Sequence, residues 1–510
     1  MSSPKYADRV ARGSTIIFLS VFLAMALGYV LRLFFSRVLS IEEFGLLYSI
    51  FVFFGIFGLF RDVGLNQTIV KMLPEFMVRK ELHKIKSLIL FSSVFQFLVA
   101  IAILVPILFF SDQIAVSYFH NPYAGQVLYV FGLMFIFNVF VSIFQSTLQG
   151  LQKVAYYSLV QPLNLALPLI FAFLLVGSGI MGAALSYTIA AMLVTFITLF
   201  LSVRSIPNFF GLRTAIDKPF LRDVFSFSLP VFIGSIGSYI LSYTDTVVIT
   251  FFKSLREVAW YQAALPTSQI LWIFSSAVIV VLFPLVSEMW AKRETKLLSE
   301  GVALLMKFMF VLVLPLALVM LAFPEFVLNL LFGPSYVQGA QALQILAIAA
   351  IFTSLWSVSS VVLSGIGKPK ATTKIVLFAA AFNLVANIIL VQYMGIAGVA
   401  LATLASFIMA FAFSTFSLRK YISLRIPLAP LLKSAIGGTA MLVIILGLKY
   451  TLNFDPWIEV FVCLIAGLAF YTLFIFLTRT ITRQELLLLS KIRMPIPKII
   501  VRIASRLAKA

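Results

Sequence analysis

Apolar runs of about 20 residues, separated by short polar breaks, follow one another along almost the whole chain, and about 20 residues is what an α-helix needs to cross the hydrocarbon core of a bilayer. Inside the runs there is no polar–apolar alternation, the mark of a membrane β-strand. Helices are the other structure that satisfies every backbone group in lipid. The pattern predicts an all-α polytopic membrane protein with fourteen spans, centred on 15–35, 44–60, 87–110, 125–147, 155–176, 182–203, 229–252, 259–285, 301–323, 339–363, 375–392, 396–417, 434–452 and 457–478. In the first span Ala24-Met25-Ala26 fits a secretory cleavage pattern, but the apolar run continues to Phe35, too far for a signal peptide. Pro162, Pro168, Pro230, Pro266, Pro284 and Pro315 fall inside spans and predict kinks or breaks.

Composition supports lipid as the solvent: 62% of the 510 residues are hydrophobic and 11% charged, against about 25% charged in a soluble domain. A net charge of +20 would suit nucleic acid, but the cations lie in the breaks between spans, so no nucleic-acid partner is expected. Their placement orients the chain instead. With the amino terminus inside, inner segments hold 32 of the 38 Lys and Arg residues and outer loops hold four, Arg37, Lys253, Arg256 and Lys449. The positive-inside rule then places both termini in the cytoplasm, and the expected location is the plasma membrane. Arg32 and Lys307 fall inside spans, and Lys307, near the inner end of its helix, is expected to snorkel to the interface. From 491 to 510 cations alternate with Ile, Val and Leu, which reads as an amphipathic helix on the anionic inner leaflet or as a disordered basic tail. The single cysteine, Cys463, lies in an apolar run.

The chain also repeats itself. GIMGAALSY at 179–187 matches GIAGVALAT at 395–403, LQGLQK at 148–153 matches LSGIGK at 363–368, and EEFGLL at 42–47 falls opposite REVAWY at 256–261. The offsets are 216, 215 and 214, six spans each time, so the two copies have the same orientation. The expected organisation is two parallel six-helix lobes, 1–210 and 211–425, a two-helix appendage at 426–480 and a basic cytoplasmic tail at 481–510. In transporters built from parallel repeats substrate sits near the middle of the membrane and access alternates.

Polar residues inside the spans are ordered. Asn138, Ser142, Gln145 and Gln149 on span four, and Thr353, Ser357, Ser360 and Ser364 on span ten, share the spacing i, i+4, i+7, i+11 of one helix face, and the two sets coincide at offset 215. They read either as packing seams between helices or as the walls of a hydrated cavity, where the amides would suit sugar hydroxyls. Span seven carries Ser235, Ser238, Ser242 and Asp245 on one face. Asp245 and Arg32 each lie about 16 or 17 residues from the inner end of their helices, at near-equivalent positions of the repeat, where an ionisable group is expected to face water or a partner. They are gate candidates that could pair. Arg61 and Asp62, at the inner end of span two, read as a local pair or as the lining of a cytoplasmic mouth.

There is no Walker motif, the two histidines His83 and His120 lie in loops, and no Cys/His cluster occurs, so neither an ATPase, a metal site nor a His-based triad is expected. Acidic residues in the outer loops are few, which argues against an enzyme.

The basic amino terminus, Arg32, SRVLSIEEFGLL, a second span ending RDVGLNQTIVK, and SYTDTVVITFF followed by EVAWYQAA resemble the Wzx-type oligosaccharide flippases of the multidrug/oligosaccharidyl-lipid/polysaccharide exporter superfamily. The resemblance runs the length of the chain and includes the 6+6+2 plan, a fold like that of multidrug exporters and lipid flippases. It implies a carrier, working as a monomer without a cofactor, that moves lipid-linked oligosaccharides from the inner to the outer leaflet. Coupling to H+ or Na+ stays open. The same superfamily contains cation-coupled multidrug or small-molecule antiporters, and a membrane glycosyltransferase or ligase is the remaining alternative. Arg32 in place of an acid in span one, together with two extra spans, favours the flippase.

Overall fold

The computed structural model describes residues 4–451, 455–482 and 485, with side chains from Ile16 onward apart from several between 273 and 281. Among these residues there are seventeen α-helices and no strand: α1 (Pro4–Val38), α2 (Ile41–Asp62), α3 (Leu65–Val78), α4 (Leu82–Phe109), α5 (Ser111–Ser117), α6 (Ala124–Gly150), α7 (Val154–Leu174), α8 (Gly179–Ser205), α9 (Lys218–Phe252), α10 (Leu255–Gln269), α11 (Trp272–Ala291), α12 (Thr295–Ala322), α13 (Pro324–Leu331), α14 (Ala340–Gly365), α15 (Pro369–Leu418), α16 (Leu428–Thr451) and α17 (Pro456–Leu477). Twelve of the described helical segments have the length and apolarity to cross a membrane. The chain is thus a multi-pass membrane protein.

Two of the fourteen expected segments share the 50-residue α15, which is broken at Gly395 by a left-handed backbone. Another expectation is corrected. The stretch 259–285 is not one helix but is divided between α10 and α11, with Ile270 and Leu271 between them. Pro266 lies one turn before that break, where it removes an N–H and crowds the carbonyl four residues earlier. The expected amphipathic tail lies, apart from Ile481, Thr482 and Glu485, outside the described residues.

The helix order repeats. The starts of α9 and α10 follow those of α1 and α2 by 214 residues (Lys218 after Pro4, Leu255 after Ile41), α12 and α13 follow α4 and α5 by 213, and α14 follows α6 by 216. Local chemistry repeats with it. Ser40 and Glu43 form a capping box at the start of α2, and Ser254 and Glu257 exchange the same bonds at the start of α10. Glu43 also accepts from the Ile180 amide, beside Gly179, whose φ of 55° and ψ of −141° recur at Gly395 as 56° and −138°. A Cβ at Gly179 would sit 2.9 Å from Glu43 Oε1 and one at Gly395 3.5 Å from Glu257 Oε1. The positive φ favours glycine at both positions, and at Gly179 the close carboxylate does so too.

The chain forms two compact units: Met1–Ala263 with Leu331–Tyr336 and Val376–Ala402, and Ala264–Leu330 with Val337–Ile375 and Thr403–Ala510. In the first, α6 is the central helix, packed on α2, α3, α4, α7 and α8. In the second, α12 has that place, packed on α11, α14, α16 and α17. There Val313, Ala317, Met441, Ile445 and Cys463 share one core. Lipid is as apolar as leucine, so close packing rather than burial from water holds these helices together. Gly437 and Gly438 of α16 show how: a Cβ would meet Phe474 of α17 at 2.4 Å or Leu314 of α12 at 2.9 Å.

Candidate functional site

Three prolines shape the polar contacts of the interior. A proline has no N–H, so the carbonyl four residues earlier in its helix loses its partner, and in lipid it must find another. Pro162 of α7 frees Ser158 O, which accepts from the Ser20 hydroxyl of α1. Pro315 of α12 frees Val311 O, which accepts from Tyr471 Oη of α17 at 3.1 Å. Pro266 of α10 frees Gln262 O, and Arg32 takes it.

Arg32 is half-buried. Its Nη1 donates to Gln262 O at 2.7 Å and to Gln262 Oε1 at 2.8 Å. Its guanidinium lies 3.8 Å from the centre of the Tyr48 ring, a cation–π contact. Gln262, 4% exposed, passes the network on, donating from Nε2 to Thr246 Oγ1 at 2.7 Å. Next to Thr246, the 3%-exposed Asp245 accepts from Tyr261 Oη and, at 2.8 Å, from Asn387 Nδ2. Asn387 also donates to Asn383 Oδ1 at 3.0 Å. Consecutive residues of α10, Tyr261 and Gln262, thus hold Asp245 and Arg32, so the two charges join one network through α10. Nearby, Thr250 Oγ1 donates to Ser49 Oγ at 3.0 Å, tying α9 to α2.

The stripes keep their helical register. On α6, Asn138, Ser142 and Gln145 are half-buried and Gln149 is exposed. On α14, Thr353 is buried and Ser357, Ser360 and Ser364 are half-buried. Their hydroxyls largely bond back to their own helices: Ser142 to Val139 O, Thr353 to Ala349 O, Ser357 to Ser354 O and Ser364 to Ser360 O. Asn138 likewise donates to Met134 O. Ser238 and Ser242 of α9 are exposed, with Ser242 bonded to Ser238 O.

Arg61 and Asp62 turn to different partners. Arg61, 7% exposed, donates to Phe135 O at 3.0 Å and Ser142 Oγ at 3.4 Å, and lies over the Phe135 ring. Asp62 Oδ1, at the end of α2, accepts from the Asn66 amide in the first turn of α3 at 2.9 Å and from Gln96 Nε2 at 3.5 Å.

Lys307 does not snorkel. It is 4% exposed and ion-paired with Glu485 at 2.6 Å, because the segment after the last span brings a carboxylate to it. Burial pushes the Glu485 carboxyl up, but the bonds from Lys307 and Thr482 outweigh that and hold it below the ordinary carboxylate value. Among the described residues no three His, Cys, Asp or Glu side chains group as a metal site. Asp245 is a buried carboxylate within an amide cluster, with the Asn387 amide nitrogen donating both to it and to Asn383 Oδ1.

Sequence reasoning missed Gln262, Tyr261, Tyr48, Asn383, Asn387 and Glu485. Two signals were available: an Asn–Asn pair at i, i+4 in an apolar span, and a proline four residues after a glutamine.

Residues 10–290 match the family described as polysaccharide biosynthesis protein, and residues 230–389 match MatE. An uncharacterized membrane protein of Methanocaldococcus jannaschii is 30% identical over 495 residues, covering 94% of this chain and 97% of that protein. A probable low-salt glycan biosynthesis flippase of Haloferax volcanii, Agl15, is 24% identical, covering 91% and 95%. Among solved structures, the lipid II flippase MurJ in an inward closed conformation superposes with a TM-score of 0.74 at 18% identity, covering 90% of this chain and 98% of that one, which establishes the shared fold. The chain belongs to the polysaccharide biosynthesis protein family, within the multidrug/oligosaccharidyl-lipid/polysaccharide exporter superfamily.

Proposed function

We propose that this protein is a flippase that moves a lipid-linked oligosaccharide, a glycan on polyprenyl phosphate or diphosphate, from the cytoplasmic to the outer leaflet by alternating access, supplying cell-surface glycoconjugate synthesis. In this reading it sits in the plasma membrane as a monomer with both termini in the cytoplasm. Residues 1–210 and 211–425 are the two lobes, 426–480 is the appendage, and 481–510 rests on the anionic inner leaflet. The observation that carries the reading is Arg32, in a chain aligned along nearly its full length with a relative named as a glycan flippase. One nitrogen of its guanidinium is fixed by Gln262 and one face by Tyr48. The other N–H groups keep the rigid fork that suits a phosphate.

The test is flipping in reconstituted vesicles with defined lipid-linked glycans. Translocation that is lost in Arg32→Ala supports the proposal, and a purified, folded protein that flips none of a representative panel overturns it. A cation-coupled antiporter is the second reading, favoured by buried Asp245 beside Asn383 and Asn387. Drug efflux driven by an ion gradient, with no glycolipid flipping, would select it.

A further inference from the structure

The loops after α5 and α13 occupy corresponding places in the two repeats. Phe119 and Tyr123 in the first correspond to Phe332 and Tyr336 in the second, both pairs 213 residues apart. Phe119 is fully buried and Phe332 and Tyr336 are 1% and 2% exposed, although all three lie outside the α-helices, Tyr336 in a short 3-10 turn. Each loop reaches past its own repeat to the end of the other repeat's first helix. From the first loop, Tyr118 Oη donates to Val247 O of α9 at 3.4 Å, His120 Nε2 lies 3.3 Å from Phe251 O, and the Tyr118 and Phe251 rings stand 6.3 Å apart. From the second, Tyr336 Oη donates to Ser36 O of α1 at 3.5 Å, and Leu331 O accepts from Arg37 Nη2 at 3.2 Å. Phe332 packs edge-on against Tyr29 of α1, and Tyr336 against Phe44 of α2. Gly333, at φ 109°, leaves room for Arg37, whose Nη1 would lie 3.2 Å from a Cβ there.

Ser36 and Phe251 belong to the last turns of α1 and α9, where helix carbonyls lack partners in their own helix. The loops supply those partners crosswise. We propose that the two loops are crossed straps that hold the outer ends of the two repeats together, and that both must release before the protein opens outward. This rests on the orientation and alternating access proposed above.

The test needs no substrate. In a Cys463→Ala background, Ser242→Cys reports access from outside to an impermeant thiol reagent, and exposed Gln113→Cys, on the helix before the first strap, checks orientation. Tyr118→Phe with His120→Ala weakens one strap, and Tyr336→Phe with Arg37→Ala the other. Each should raise the labelling rate of Ser242→Cys about fivefold to tenfold, and both together more, the population ratio that one or two lost hydrogen bonds command. Unchanged labelling in both strap variants, folded by size exclusion, overturns the proposal. So does an equal rise in Asp455→Ala, which loses only the N-terminal cap of α17. If Gln113→Cys is silent from outside, the orientation has failed rather than the straps, and the same comparison is run on everted vesicles. Phe332→Ala, which removes a buried ring of the second strap, should raise the rate at least as far.

Discussion

At the residue scale, the recurring device is a proline that hands a carbonyl to a side chain of another helix. For Pro266 it has a consequence for the proposed phosphate site. In Pro266→Ala the new amide competes with Arg32 for Gln262 O, so Arg32 loses part of an anchor of the kind worth about 1.5–3 kcal/mol for a charged donor. Glycolipid flipping should fall by up to about tenfold, while Pro266→Ala should add no further loss in an Arg32→Ala background. An undiminished effect in that background would show that Pro266 acts through helix shape alone. Arg32→Lys should restore little, because an ammonium cannot offer the planar fork or the same ring stacking. Arg32, Asp245 and both polar stripes were legible in the sequence because charge depth and helical period are local properties. Their partners were not. Gln262 stands 230 residues from Arg32, and Asn387 142 from Asp245, separations at which only the fold decides contact.

At the scale of elements, hydropathy placed most spans because lipid demands apolar length, and the Gly395 break fell between two expected spans. The α10–α11 break was legible only as one of six prolines expected to kink or break a span: a proline within an apolar run is tolerated in membrane helices and need not divide one, so which of them would was not fixed. The Lys307–Glu485 pair was hidden for a similar reason, since its partner lies beyond the last span. It gives a test of how the segment after α17 is held. Glu485→Gln leaves a buried ammonium without its counter-charge, and should lower the unfolding stability by about 2–3 kcal/mol, less than for a fully buried pair because the carboxylate is partly open to solvent. Adding Lys307→Met should return much of that loss, measured as melting in detergent. Because the folded Glu485 carboxyl is held below its ordinary value, its contribution is present at neutral pH and is lost as pH falls through that lowered value. The Glu485→Gln variant should lack this acid limb. The paired glycines offer a second test. Alanine at Gly179 or Gly395 should cost about 1–2 kcal/mol from the left-handed backbone, and Gly179→Ala should cost more, because its Cβ would stand closer to a carboxylate.

At the scale of the whole molecule, the sequence repeat proved to be a repeat of helices, caps and glycines, and its legibility came from three short matches at nearly one offset. The strap loops escaped notice because their offset of 213 is carried by isolated aromatic residues. The proposed orientation is checked by fusing a reporter active only outside the membrane to Ala510, which should stay silent. The stripes on α6 and α14 bear most directly on transport, because packing and cavity readings differ in whether water reaches them. Four of the five stripe hydroxyls donate within their own helices, and a side-chain bond from another helix runs from Arg61 to Ser142 Oγ, so the stripes, unlike a packing seam, rely little on a facing helix for their hydrogen bonds. Gln145 and Ser360 are half-buried rather than sealed. In a Cys463→Ala background, cysteines replacing Gln145 and Ser360 should therefore each react with a water-soluble thiol reagent. A lipid-linked glycan should slow both reactions, whereas the same lipid without its sugars should slow them less. Complete protection of both cysteines without substrate, in a protein that still flips, would assign the stripes to helix packing and leave Arg32 and the Asp245 network as the polar groups on which translocation rests.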